Sequence, residues 1–345
     1  MKSVKTEIAW KLTWSLMVIV NSLWVPAQNV SNSTNQARAV QTKAPTIAIY
    51  LLADAQLNLK DVVRRPLAEL TLADKPWLSP SEVDFYDAST HIIYFKAGVK
   101  PKTIKGALQG IPFVLTARGQ RLFLGVFWSL YSSLGPEAGT PLIYAPLSDT
   151  GMEFIQIRAT KMQHEGRRVH LIPDPDVNRP LEDAFREAGC LREGLSLSLK
   201  AIRVERHNGG ETTVRYTYCL TNQDTDTLLI LDPDKTGSPK FHYFTNGIYL
   251  VPRDGNRSGV WKILENYVRL PGRVNLDPSW LTALSPGSSI ERSVEMPLDP
   301  EVGPGDYQAS FRFPSPLIKN IQETHLPAGR LWLGELDAQL IVEVQ

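Results

Sequence analysis

From Leu195 onward apolar and polar positions alternate along the chain. The runs LSLSLKAIRVERH and ETTVRYTYCLTN flank Asn208-Gly209-Gly210, which predicts a hairpin. Three loop residues set Val204 opposite Val214 and Ile202 opposite Tyr216, with all four side chains on one face. A slip of one residue would turn half of them to solvent. Leu195, Leu197 and Leu199 run in the opposite phase to Ile202 and Val204, so a bulge is expected near Lys200 or Ala201. Cys219 then falls on the face of Thr213, Arg215 and Thr217, away from Tyr216 and Tyr218. Further strands follow in TLLIL, FHYFTNGIYLV, GVWKIL, SIERSVEM, DYQASFRF and ELDAQLIVEV. Turns at Arg253-Asp254-Gly255-Asn256 and Gly303-Pro304-Gly305-Asp306 separate them. This spacing predicts an all-β, immunoglobulin-like sandwich over residues 195–345. Tyr307, directly after its turn, is placed either as core or as a corner tyrosine whose hydroxyl ties down the loop.

The pattern before residue 195 differs. TIAIYLL (Thr46 to Leu52), HIIYF (His91 to Phe95), PLIYA and FIQIR read as strands, and Arg118-Gly119-Gln120 as a hairpin turn within PFVLTARGQRLFLGVFW. Ser79 as N-cap, Pro80 at the first helical position and Glu82 at the third predict a short helix. Residues 44–165 are therefore expected to form an α+β domain. Residues 166–194 read as a linker carrying a helix that Pro180 starts and Gly189 closes.

The N-terminus changes the cellular picture. Lys2, Lys5 and Lys11 precede the apolar stretch Leu12 to Val25, and Val25-Pro26-Ala27 supplies a small residue at a cleavage point. Residues 1–27 thus read as a signal peptide, and residues 28–43 as a polar, flexible leader. The expected location is periplasmic or extracellular; an uncleaved signal would leave an inner-membrane anchor. Nothing later in the chain predicts a membrane span.

Charge and cysteine usage narrow the chemistry. The chain of 345 residues has 37 Lys and Arg against 36 Asp and Glu. Removing the signal moves the formal charge from +1 to about −1, which gives no broad basic face for nucleic acid. Cys190 and Cys219 are the two cysteines; a bond between them and two free thiols both remain open.

Two resemblances follow from these segments. TIAIYLLADAQ with LADKPWLSPSEVDFYDASTHIIYF resembles the periplasmic head domain of the translocase subunit SecD over residues 46–95. It implies an extracytoplasmic α+β module; the membrane helices of that subunit have no counterpart here. GPGDYQASFRFPSP and RLWLGELDAQLIVEV, within residues 195–345, are similar to immunoglobulin-like domains of bacterial envelope proteins and to the BsuPI type. That similarity is one of strand pattern and brings no inhibitory loop.

Candidate chemistry is sparse. Asp232, Asp234 and Thr236 with Gly237 sixth suggest a calcium loop, but position twelve is Tyr243 where a bidentate Glu would close it. A turn after TLLIL is the favoured reading, with Asp224 and Asp226 as further oxygen donors if the fold brings them in. HEGRRVH (His164 to His170) has Arg168 where a zincin needs its second histidine. No G-x-S-x-G, P-loop or G-x-G-x-x-G is present, so no cofactor is expected. The chain thus reads as an exported, non-catalytic binding or scaffolding protein with a protein or envelope partner. The alternatives are a hydrolase whose site assembles only in three dimensions, and a protease inhibitor using a loop such as 314–330.

Overall fold

Strands dominate both halves of the chain. The computed structural model describes residues 46–104, 106–129, 132, 139–145, 153–162, 168–171, 175–207, 211–232, 235, 247–253, 261–262, 277–298, 302–314 and 326–344. The N-terminal half contains β1 (Ile47–Leu51), β2 (Val83–Asp87), β3 (Ile92–Phe95), β4 (Ile111–Ala117) and β5 (Gln120–Trp128). It continues with β6 (Pro141–Tyr144), β7 (Phe154–Met162), β8 (Arg168–Leu171) and β9 (Leu191–Arg192). Among the described residues they form one nine-stranded sheet in the order β1-β4-β5-β6-β7-β3-β2-β9, with β8 beside β7. Two pairs, β5 with β6 and β2 with β9, are parallel; the others are antiparallel.

This corrects the expected α+β architecture for residues 44–165. The α-helices among the described residues are α1 (Leu59–Val62) and α2 (Pro175–Glu187), and α2 lies beyond that range. Glu82 does reach back to the Ser79 amide at 2.7 Å, as a capping box would. The element it closes is one 3-10 turn, Pro80–Glu82. Val83, Phe85 and Tyr86 then pair with β3, because β-branched and aromatic residues gain more from cross-strand packing than from another helical turn. The helix of the linker also starts earlier than expected: Pro180 lies inside α2. Gly189 closes it as expected, at φ +70°, with the Cys190 amide donating to the Phe185 carbonyl at 2.9 Å.

The sheet has two covered faces, which explains the continuous apolar runs in β4 and β5. Phe113, Leu115, Phe123 and Phe127 join a core capped by Leu181, Ala184 and Phe185 of α2. On the other face Val114 packs with Leu52, Val62 and Leu70, and Val126 with Leu59 and Leu142. The expected hairpin forms, with Arg118 and Gly119 both at positive φ.

The C-terminal half holds β10 (Leu195–Arg206), β11 (Thr212–Asn222), β12 (Leu228–Leu231), β13 (Gly247–Pro252) and β14 (Trp261–Lys262). After these come β15 (Leu281–Leu284), β16 (Ser289–Leu298), β17 (Gly305–Pro314), β18 (Arg330–Leu331) and β19 (Glu335–Val344). Among the described residues they group as β10-β11-β16, β15-β12-β18 and β14-β13-β17-β19. Among the described residues these are three separate sheets, where an immunoglobulin sandwich has two. The register of β10 with β11 is the one the alternation predicts: Val204 faces Val214, Ile202 faces Tyr216, and the shift falls between Leu199 and Ala201. Tyr216, Tyr218 and Leu220 point inward against Phe311 and Phe313, with Tyr218 stacked on Phe311 at 4.6 Å between centroids. Burying each such ring contributes roughly 1.5–3 kcal/mol. The Tyr307 hydroxyl donates to the Gly303 carbonyl at 2.8 Å, closing its turn as a corner tyrosine. Cys190 and Cys219 are free thiols. No described helix is long and apolar enough to cross a membrane.

Candidate functional site: a polar joint between the two halves

The β2–β3 link, Ala88 to His91, is where the N-terminal sheet meets the C-terminal half. Asp87 ends β2 and is fully buried. Its Oδ1 accepts from the Ser89 amide at 3.0 Å and from Ser89 Oγ at 2.6 Å. Its Oδ2 accepts from an Arg330 terminal nitrogen at 2.9 Å. The other terminal nitrogen of Arg330 donates to Asp224 Oδ2 at 2.6 Å. One guanidinium thus joins carboxylates from the two halves, one of them 243 positions away in sequence.

Backbone pairing sets that arrangement. β18 runs parallel to β12, with the Arg330 amide donating to Thr227 and the Trp332 amide to Leu229. This aims Arg330 and Trp332 at the N-terminal half. Trp332, itself fully buried, donates its indole N–H to Ser89 Oγ at 3.2 Å. The Arg330 guanidinium also lies 5.1 Å from the Phe85 ring centroid and 5.9 Å from that of Tyr94, a cation–π seat. Asp224 is anchored through its amide to Asn222 Oδ1 at 2.8 Å; Asn222 in turn donates to the Asp226 and Leu284 carbonyls. At the rim, Arg192 pairs with Asp226 at 3.3 Å.

Two glycines make room for the turn. A Cβ on Gly194 would lie 2.2 Å from Ser89 Oγ and 2.3 Å from Asp87 Oδ1; one on Gly334 would lie 2.5 Å from Thr90 Cγ2. Their φ values, +73° and +118°, are also ones that favour glycine. The 87–91 turn therefore sits in a notch lined by backbone.

Burial governs the electrostatics. It works against the Arg330 charge, but Asp87, Tyr94 and Asp224 outweigh it and hold the guanidinium pKa above its usual value. Burial pushes the Asp87 carboxyl up, against the pull of Arg330. Burial also raises the Tyr94 phenol, with Asp87 adding to the effect. An open depression of about 370 Å³, lined by Asp226, Thr227, Ala328, Gly329 and Arg330, lies beside the joint.

The segment DASTH, Asp87 to His91, brings together the residue types of a hydrolytic triad, yet not its geometry. Ser89 Oγ donates to Asp87 and accepts from Trp332. The His91 imidazole turns the other way, with Nδ1 2.5 Å from the Tyr86 hydroxyl. A triad needs the imidazole on the serine. The cluster as arranged fixes position rather than activating a nucleophile.

Of the calcium candidates, Asp232 lies among the described residues. Asp232 is buried at the end of β12; its Oδ2 accepts from Thr282 Oγ1 at 2.6 Å and lies 3.3 Å from Arg292. Asp224 and Asp226 precede β12 and face Arg330 and Arg192 instead. Asp234 lies outside the described residues, as do His164 and most of the 314–330 loop. Among the described residues no three His, Cys, Asp or Glu side chains gather as metal ligands would. The joint residues Asp87, Ser89, Asp224, Arg330 and Trp332 were missed by sequence reasoning. Asp87 and Ser89 lie together in the DFYDASTH segment, Arg330 and Trp332 in RLWLGEL, and Asp224 entered as a possible oxygen donor, but no local spacing links these three segments.

No protein-family model and no curated protein matches the sequence. Among solved structures, β-glucosidase 3B from Thermotoga neapolitana in complex with α-D-glucose aligns at 12% identity and a TM-score of 0.20. The alignment covers 44% of this chain and 16% of that protein's length. A likeness of that size carries neither fold nor activity to this chain.

Proposed function

We propose that this chain is an exported envelope protein whose two halves act as one rigid, non-catalytic binding or scaffolding body. The observation that carries the reading is the joint. Asp87, Ser89 and Arg330, which could serve chemistry, are spent on one another and on holding the halves together. A buried ion pair of this kind adds little net stability; in this reading its role is to specify one arrangement of the parts it joins. A fixed arrangement suits a surface that presents contacts in register. The basic N-terminal segment followed by Leu12 to Val25 supports export.

Cell fractionation with N-terminal sequencing tests the first element, and an affinity pull-down from an envelope extract tests the second. A processed N-terminus outside the cytoplasm and one stoichiometric partner are expected. A cytosolic chain with its first methionine overturns export. Turnover of a generic ester or peptide without a partner overturns the scaffold.

A further inference from the structure

His91 stands at the root of the joint and takes part in none of its ion pairs. The residue is 4% exposed. Its backbone has φ +54°, a left-handed conformation that a non-glycine residue adopts only when its surroundings hold it there. Two contacts do so: the Ile157 amide donates to the His91 carbonyl at 2.9 Å, and Nδ1 meets the Tyr86 hydroxyl at 2.5 Å. Tyr86 is in turn stacked on Phe185 of α2 at 4.8 Å. The two residues before His91 are those seated against the C-terminal half: Ser89 beneath Trp332 and Thr90 against Gly334.

We propose that His91 is an acid latch: protonating its imidazole withdraws the 87–91 turn from its notch and loosens the joint between the two halves.

The chemistry is a change in hydrogen-bond character. Burial keeps the Tyr86 phenol protonated, and Glu182 and Asp87 add to that. Tyr86 can then donate to Nδ1 of the neutral ring. An imidazolium carries a proton on both ring nitrogens, so Nδ1 no longer accepts; the phenol must turn to accept from it, and the buried phenol proton loses this partner. It is also a charge in an apolar pocket, and burial holds its pKa down at about 4. The groups around it offer no relief as placed. From β2 come Tyr86 and Asp87, the latter already held by Arg330 and Ser89. From β7, Gln156 Nε2 donates to the Thr90 carbonyl, and its Oε1 accepts from Arg158. From α2 come Phe185 and, near Tyr86, Glu182. The imidazolium is accommodated by moving to solvent, and the turn moves with it.

Asp87 titrates in the opposite sense. Burial raises its folded pKa, so its protonation favours the folded state as pH falls and offsets part of the overall change. Comparing the native chain with a His91→Gln variant isolates the histidine share. The inference rests on the joint and not on export, so a cytosolic location would overturn that reading and leave this one standing.

Hydrogen exchange of the full chain, corrected for the intrinsic pH dependence of the chemistry, reads the latch directly. Between pH 8 and pH 5, opening of peptides spanning 84–95 and 327–336 should rise in the native chain relative to His91→Gln, roughly thirty-fold if the released histidine has its ordinary pKa. Amides of β11 should change less, and His91→Gln should show none of the rise at the joint. No rise in the native chain relative to His91→Gln overturns the proposal. Should His91→Gln fail to fold, imidazole ¹⁵N shifts of the native chain decide. A neutral His91 in a closed joint at pH 5 supports the latch; a charged His91 in a joint that stays protected sinks it.

Discussion

Arg330 and Arg215 both grip carboxylates through a guanidinium, in opposite surroundings. Arg215 lies on the outer face of β10-β11-β16, 2.6 Å from Glu295, with both side chains about half exposed. Lys200 and Glu291 pair on the same face, and Thr217–Ser293 and Thr221–Ser289 hydroxyl contacts of 2.8 Å run beside them. Arg330 has a side chain 15% exposed, and its partners Asp87 and Asp224 are at 0% and 1%. On the outer face water can replace any partner that is lost. In the joint the two carboxylates are closed to water, and losing their cation strands their charge. The chemistry is common to both regions; dielectric and solvent access set what each bond is worth.

Breaking the joint at its centre is the strongest test of that contrast. Arg330→Met leaves Asp87 and Asp224 buried without their cation and should cost about 3–5 kcal/mol in chemical denaturation. A loss no larger than that of Arg215→Ala would erase the distinction. Filling the notch comes next. Gly334→Val forces a side chain into Thr90 at φ +118° and should cost about 2–4 kcal/mol.

Acid should act through His91. Its folded pKa of about 4 lies below the ordinary 6.5, so the neutral form is favoured by folding. That contribution is complete above pH 6.5, falls as the pH drops toward 4, and is gone below it. Its full size is about 3 kcal/mol, readable as the difference in pH-dependent stability between the native chain and His91→Gln. The smallest effect is expected on the outer face. Arg215→Ala should leave the melting midpoint unmoved, and salt should not change that result.

Much of the strand pairing was legible in the sequence, because it follows from a local rule. Side chains alternate at every second residue, so Val204, Ile202, Val214 and Tyr216 can share a buried face in one register alone, and Leu199 breaks phase where the bulge appears. The turn at Arg118 and Gly119 and the Tyr307 corner are equally local. The helix expected from Ser79 shows the limit of such reasoning. Its capping contact forms, yet pairing of Val83–Asp87 with Ile92–Phe95 decides that the chain leaves the helix after one turn.

What the residue order determined is therefore the set of strands, their inward faces and the register of β10 on β11, since burial of alternate side chains acts between neighbours a few positions apart. The nine-stranded sheet, the three-sheet grouping of the C-terminal half and the joint were decided only in three dimensions. Asp87 meets Arg330 across 243 positions, and Arg330 meets Asp224 across 106. No periodicity in a sequence encodes such a meeting, because it depends on where parallel pairing of β18 with β12 carries one guanidinium.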